Sequence, residues 1–298
     1  MHHDRTPEDK IELINILKQG TFWLIHLGCI AVIWAGFSWF AAVTCGVLYF
    51  VRMFAITGGY HRYFAHKSYK TSRWFQFVLA YLGSMSAQKG PIWWASHHRH
   101  HHKHSDLEDD IHSPRWNGIW WAHVGWVLST QYIHARPELV KDLTRVPELR
   151  LLDRNHLVAP VSLAAMLLAL GHWLAVAHPE LGTNAFQLFV WGFCISTTLL
   201  YHGTFCINSF THLWGTRRFN TTDDSRNSLV FALITLGEGW HNNHHRYPGA
   251  ERQSMYWWEI DISHYCLKLL SWCGIVWDLN VHPERIYEEA HRGAAGVL

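Results

Sequence analysis

Charge is scarce in this chain. Asp, Glu, Lys and Arg make up 16% of its 298 residues, against roughly a quarter in soluble domains. The formal net charge is only +2 and no basic tract is present, so there is no electrostatic footprint for nucleic acid and no such partner is expected. The six cysteines, Cys29, Cys45, Cys194, Cys206, Cys266 and Cys273, include no Cys-x-x-Cys pair. Four lie in apolar stretches. All six read as reduced, buried small hydrophobes rather than a disulfide frame or a thiolate ligand set. No cleavable signal is visible either: the first twenty residues are polar, with Asp4, Arg5, Glu8, Asp9 and Lys10 among them, and do not resemble a signal n-region. No internal repeat or low-complexity linker is visible.

What the chain does have is long uncharged runs. Residues 21–57 carry one charge, Arg52. One helix of that length overruns a hydrocarbon core of ~30 Å at about 1.5 Å per residue, so two helices are expected, turning near Gly36-Phe37-Ser38. Two more runs, 157–177 and 183–207, contain no Lys, Arg, Asp or Glu. His178-Pro179-Glu180-Leu181-Gly182 lies between them as a helix stop and turn. The expectation is an all-α integral membrane fold, a single domain over 1–298. Four transmembrane helices, about 21–36, 39–57, 157–177 and 183–207, form two hairpins, with a helical cap from 61–156 and 208–298. Of the 25 Lys and Arg residues, 24 lie outside these spans and none lies in the two hairpin connectors. The positive-inside rule then makes the cap side cytoplasmic. Shorter apolar stretches, Phe75 to Met85 and Ile262 to Val276, read as helices on the interface or in the cap.

Histidine is abundant, at 25 residues, and much of it falls in three boxes on the cap side. The first is His61-Arg62-Tyr63-Phe64-Ala65-His66. The second lies in Ser96-His97-His98-Arg99-His100-His101-His102-Lys103-His104, and the third is Gly237-Glu238-Gly239-Trp240-His241-Asn242-Asn243-His244-His245. Positions i, i+3 and i+4 share a helix face. His98, His101 and His102 have that spacing, as do His241, His244 and His245, so each set can aim three imidazoles at one place. One such pattern is expected by chance roughly 0.2 times in a chain this rich in His; two independent copies are not a chance event. His61 and His66 are five apart, about 140° around an ideal helix, and converge only if the helix ends or bends, or if they meet different metals. His97, His100 and His104 lack the shared face and read, with His2 and His3, as solvated. Imidazoles without thiolates suit Fe, Zn, Cu or Ni. Eight histidines exceed the needs of one ion, so two metals are the simpler account.

The motifs resemble those of the membrane fatty acid desaturase family, and within it the acyl-CoA (stearoyl-type, delta-9-like) desaturases, over about residues 20–280. They are Gly58-Gly59-Tyr60-His61-Arg62-Tyr63-Phe64-Ala65-His66, His98-Arg99-His100-His101-His102-Lys103, Asn208-Ser209-Phe210-Thr211-His212-Leu213-Trp214-Gly215 and the third box. The resemblance adds His212 as a ligand and Asn208 as a residue holding a metal through water. It implies two Fe2+ ions among His61, His66, His98, His101, His102, His212, His241, His244 and His245, and O2-dependent insertion of a cis double bond into a fatty acyl chain. That reaction at unactivated C–H bonds calls for a redox-active metal, which excludes Zn. By position, Trp94 and Thr204 match residues near the bend of the family's substrate tunnel, and Tyr49 and Met53, one turn apart, are candidates for its closed end.

One departure bears on the substrate. Animal acyl-CoA desaturases carry an Arg-Asp pair before the second box and an Arg-Lys pair after a His-Val-Gly-Trp segment. Here Ser96-His97 stands at the first site, and Ser129-Thr130-Gln131 follows His123-Val124-Gly125-Trp126. Acyl-CoA remains the family default, with acyl-lipid or acyl-carrier substrates open; Arg136, Lys141 and Arg145 are available to an anionic head group or a lipid surface. No His-Pro-Gly-Gly heme signature, Rossmann glycine motif or ferredoxin cysteine set is present. Electrons are therefore expected from a separate ferredoxin-like or cytochrome-type carrier and its reductase. The competing readings are a hydroxylase on the same scaffold, a b-type cytochrome using His pairs, and a His-rich metal transporter or sensor. The last predicts polar or ionisable residues within the spans, where His26, His172 and His202 are the only imidazoles, scattered one per segment.

Overall fold

An apolar run without charge continues as helix until a breaker arrives, and the breakers named above end the helices here. The computed structural model describes residues 19–295, so the polar N-terminal stretch that includes His2 and His3 lies outside the described residues. Trp39–Ala65, Val158–Ala177 and Ala185–His212 are long and apolar enough to cross a membrane. Of the four expected spans, three have that length among the described residues and the first is shorter. Gly20–Ile30 gives way at Ala31 to a short helix, Val32–Ala35, and residues 20–35 amount to about 24 Å end to end. At Ala31 the backbone N–H reaches the i−3 carbonyl of Gly28. Gly28 also lies close against Cys194 on the Ala185–His212 helix, whose Sγ would be 2.7 Å from an added Cβ. The short helix still joins the bundle: Phe22 and Ile25 pack with Leu163, Leu167 and Leu188.

Both turns fall where the sequence has its breakers. Gly36 adopts φ +67°, a left-handed conformation that favours glycine, and Ser38 then caps the next helix by accepting from the Ala41 N–H at 3.1 Å. Pro179–Leu181 forms a single 3₁₀ turn and Gly182 (φ +60°) ends it. This second hairpin closes tightly, since a Cβ at Gly171 would stand 2.6 Å from Ala185 Cα. Arg52, the one charge in the first run, is fully buried. It spends its donors on neutral oxygens: Leu48 O, Met85 O, Thr197 Oγ1 at 2.7 Å and Ser196 Oγ at 2.6 Å. The guanidinium thus ties the second helix to the Ala185–His212 helix and to the cap.

Among the described residues, 66–156 and 213–295 combine short helices with irregular loops, and one antiparallel pair of two-residue strands, Lys70–Thr71 with Val276–Trp277, joins the first of these segments to the second. The two shorter apolar stretches form the helices Arg73–Ser84 and Ile262–Trp272, each with an exposed apolar face that includes Trp74, Leu269 and Trp272. A buried core of Met53, Ile56, Tyr60 and Phe64 with Leu79, Ile92, Leu149 and Leu267 locks the second long helix into this cap. All six cysteines are free, as expected, but only Cys45 and Cys194 are buried and Cys273 is exposed. Overpacking a well-filled contact costs about 1–3 kcal/mol. Gly171→Val is therefore expected to lower the thermal midpoint of the detergent-solubilised protein while Gly182→Asn, at an open left-handed position, does so much less; equal losses would contradict the tight hairpin.

Candidate metal centre

The first box is held by an irregular helix. From Ala55 to Ala65 the chain is a π-helix, in which hydrogen bonds run from i to i+5. The His66 N–H donates to the His61 carbonyl at 3.1 Å, so two residues five apart stand one turn apart and their rings lie 4.7 Å from each other. That resolves the awkward spacing of this pair. The second box lies on the Pro91–His104 helix, which starts with Pro at its first turn. The third lies on the six-residue helix His241–Arg246, and His212 ends the Ala185–His212 helix.

These elements bring all nine histidines together in two groups. His61, His66, His98, His102 and His244 form one, and His101, His212, His241 and His245 the other; within each, one ring nitrogen per residue lies within 4.8 Å of all the rest. Each helical triplet is thereby divided rather than aimed at one place, a correction with a simple cause. Successive residues are 100° apart on a helix, so His101 and His102 flank the shared face, one on either side. The groups adjoin, with the rings of His102 and His245 4.6 Å apart.

Four carboxylates stand behind the rings. Nδ1–H of His61 donates to Glu238, that of His101 to Asp110 at 2.9 Å, that of His212 to Asp106 at 2.7 Å and that of His245 to Asp223 at 2.7 Å. Such contacts orient the rings and aim Nε2 inward. Burial opposes ionisation of Asp106, Asp110 and Asp223, but hydrogen bonds and charge from His212, His101 and His245 respectively prevail and hold all three well below the ordinary carboxylate range. Glu238 is shifted the same way, by His61 and Arg62 against its burial. Arg62 is buried too and donates to Glu238, to Asp261 at 3.0 Å and to the Glu251 carbonyl at 2.7 Å. Burial, then the neighbouring imidazoles, pushes His66, His98, His102, His241 and His244 well below the usual histidine range, which keeps them neutral, as ligation requires.

The nitrogens themselves show whether this set suits metals. Nε2 of His101 and of His245 is buried without a partner. Nε2 of His61 lies 3.0 Å from that of His244, which is also 3.0 Å from that of His102; His212 and His241 repeat the contact at 3.0 Å. Lone pairs crowded in this way are stabilised by a cation among them. Nitrogens about 2.1 Å from one ion stand about 4.2 Å apart when opposed, within the observed spread. The residues present fit a metal pair.

Other sequence-derived assignments fare unevenly. Asn208 lines the wall of a cavity of about 530 Å³ together with His61, His98, His101 and His241. Met53, Trp94 and Thr204 line the same cavity. Tyr49 does not; its hydroxyl donates to the Ile234 carbonyl at 2.7 Å, behind Met53. His97 and His100 are not solvated but buried, His97 against Trp93 and His100 on the Asp109 carbonyl. His26 and His202 are not scattered either: they meet at 3.2 Å, and His202 reaches His123 at 2.9 Å, clear of both groups, while His172 is exposed. Sequence reading missed the four carboxylates. It also missed His112, whose ring lies over His101 at 4.2 Å, and Gln88, which donates to Thr204 at 2.9 Å and accepts from Trp94. Only Glu238 carried a signal, its place inside the third box.

Fold and site define a class first: membrane-length helices carrying, at their polar end, two adjoining imidazole groups beside a largely apolar cavity. The chain belongs to the fatty acid desaturase family, whose model matches residues 14–268. It is 34% identical over 275 residues to the sn-1 stearoyl-lipid 9-desaturase of Anabaena variabilis, covering 91% of this chain and 96% of that one. It is 36% identical over 252 residues to the acyl-CoA C20 Delta5-desaturase of Anemone leveillei, covering 83% and 76%. A palmitoyl-monogalactosyldiacylglycerol delta-7 desaturase of Arabidopsis thaliana chloroplasts is 35% identical over 83% of this chain. The chain spans 64% of that protein's length and 66% of a second Arabidopsis chloroplast lipid desaturase.

Loss of a partner behind a ligating ring typically weakens metal binding 10–100-fold. Asp106→Asn, which trades a carboxylate for an amide at His212, is expected to fall in that range in a chelator competition titration. His98→Ala and His241→Ala are expected to lose tight binding and His104→Ala to keep it; wild-type affinity in Asp106→Asn would remove the role given to the carboxylate.

Proposed function

We propose that this protein is an O2-dependent desaturase that introduces a cis double bond into a fatty acyl chain, with two iron ions held by the nine histidines. In this reading the short first helix and the three long ones are embedded together and the cap is cytoplasmic. The observation that carries it is the opening of the imidazole centre onto the cavity. His61, His98, His101 and His241 share its wall with Met53, Ile56, Trp94 and Phe205, so an extended hydrocarbon can lie against both groups.

A bound iron pair would supply the activation of O2 that attack on unactivated C–H bonds requires and that side chains cannot provide. The protein's own part is positional. The carboxylates behind His61, His101, His212 and His245 keep the nitrogens of both groups aimed inward. Gln88, by joining Thr204 to Trp94, braces the cavity wall where the acyl chain bends. Asn208 holds water at the wall near His241. Met53 limits the depth of the cavity; Tyr49 supports it from behind. The balance, RCH2–CH2R′ + O2 + 2e− + 2H+ giving RCH=CHR′ + 2H2O, needs two electrons from an external carrier.

For the head group, acyl-CoA is the first reading. An acyl-lipid substrate is the second reading, supported by Ser129-Thr130-Gln131, where animal acyl-CoA desaturases have an Arg-Lys pair, and by relatives named for acyl-lipid activity in Anabaena and in Arabidopsis.

Expression in a desaturase-deficient host, followed by mass spectrometry that locates double bonds in the acyl-CoA and lipid pools separately, is expected to reveal one new cis double bond at a fixed position. A hydroxylated chain with no new double bond would overturn the reading. Met53→Trp, which shortens the cavity, is expected to shift the product distribution toward shorter chains; an unchanged distribution would remove Met53 from the closed end.

A further inference from the structure

The third box has a connection to the surface that the centre itself does not use. Trp258 is exposed and stacks on Tyr256, their rings 4.5 Å apart and 12° from parallel. On Tyr256 lies the Arg218 guanidinium, 4.7 Å from the ring centre, a cation–π contact. Arg218 in turn donates to the Asn243 side chain at 3.0 Å, and Asn243 is bonded through the backbone to His244 of the five-histidine group. Asn243 is completely buried and held further by Asn227 at 2.8 Å and by the Gln253 carbonyl at 3.1 Å. Three contacts and one residue of backbone therefore link an exposed indole to a ring of the centre.

The rim of this patch is basic. Arg218 is balanced by Glu259, but its neighbours are not. Arg217 is exposed and donates only to Thr221, and Arg252 donates to Ser254 and the Tyr256 carbonyl; neither pairs with a carboxylate among the described residues. Trp257, 82% exposed, and His291, 5.7 Å from Tyr256, complete the rim. The packing beneath Tyr256 comes from Phe219, Met255, Ile286 and Ala290, none of them on a membrane-length helix.

We propose that this patch is the docking and electron-entry site for an acidic one-electron carrier protein, an inference that rests on the desaturase reading. Uncompensated arginines steer an acidic partner, and electron-transfer complexes need only small contact areas. Two reduced carriers deliver one electron each and leave oxidised. O2 is reduced by these two electrons and by two from the acyl C–H bonds, with two protons from water.

The test uses the full chain, metal-loaded in lipid nanodiscs, with an acidic [2Fe–2S] ferredoxin as the probe. Surface plasmon resonance at low ionic strength is expected to show at least a tenfold loss of affinity in Arg217→Glu/Arg252→Glu, with a flattened salt dependence. Trp258→Leu is expected to bind within about threefold of wild type but to oxidise reduced ferredoxin at least tenfold more slowly in stopped flow, with unchanged metal content. Wild-type binding in the charge-reversed variant, or wild-type oxidation rates in Trp258→Leu, would overturn the proposal. So would strong quenching of the Trp257 and Trp258 fluorescence by brominated lipids, which would make this face a membrane contact. Dithionite-driven desaturation by both variants separates electron entry from the reaction itself. If wild type yields no double bond with either reductant the desaturase reading fails, while the binding data still judge the docking site.

Discussion

Crowding nine imidazole nitrogens inward requires fixing the outer side of enough rings to hold the cluster, and the rest of the structure is arranged around that constraint. Four rings are fixed by buried carboxylates, and those carboxylates are themselves restrained. Asp106 accepts from Ser113 and the Asp224 N–H while its own N–H donates to Asp110. Glu238 and Asp261 share buried Arg62. A buried charge left unpaired costs about 3–5 kcal/mol, so this network holds together as a unit. Asp106 and Asp110 follow the second box, Asp223 precedes the third and Glu238 lies inside it, and each carboxylate reaches across to an imidazole on another element or another turn. The centre is closed by side chains that are not ligands.

The helical bundle serves this centre by delivering two of its helices directly into it. Trp39–Ala65 carries His61 and Ala185–His212 ends on His212. Their relative height is set inside the bundle, where Arg52 satisfies its guanidinium on Ser196 and Thr197 of the second of these helices. A charge in a membrane-length helix is costly and persists only with such partners. The cavity follows the same two helices, with Met53 and Ile56 on one and Thr204 and Phe205 on the other, so the elements that carry the ligands also form the wall facing them.

Much of this was legible in the sequence because the signals were local. Missing charge located the long helices, and Gly36, Ser38 and Gly182 ended or began helices where their chemistry required. The i, i+3, i+4 spacing singled out six of the nine histidines. What was not legible depended on backbone or long-range detail. Nothing in Ala55–Ala65 announces a π-helix, yet that geometry is what makes His61 and His66 neighbours. The division of each triplet depends on where two helices sit relative to each other, and the pairing of Asp106 with His212 joins residues 106 positions apart. The broken first helix was hidden for a similar reason: Ile30-Ala31-Val32 looks like uninterrupted apolar helix, and the close approach of Gly28 to Cys194 is a tertiary fact. His97 and His100 were misread because a histidine-rich tract looks solvated until its neighbours are known.

The central claim is that two adjoining groups of imidazoles hold two ions of one redox-active metal without sulfur. Metal quantification combined with X-ray absorption on the protein purified from an iron-replete host tests it most directly. Two irons per chain with only nitrogen and oxygen scatterers in the nearest shell is the result the account predicts; a single ion per chain, zinc in place of iron, or a sulfur scatterer would contradict it.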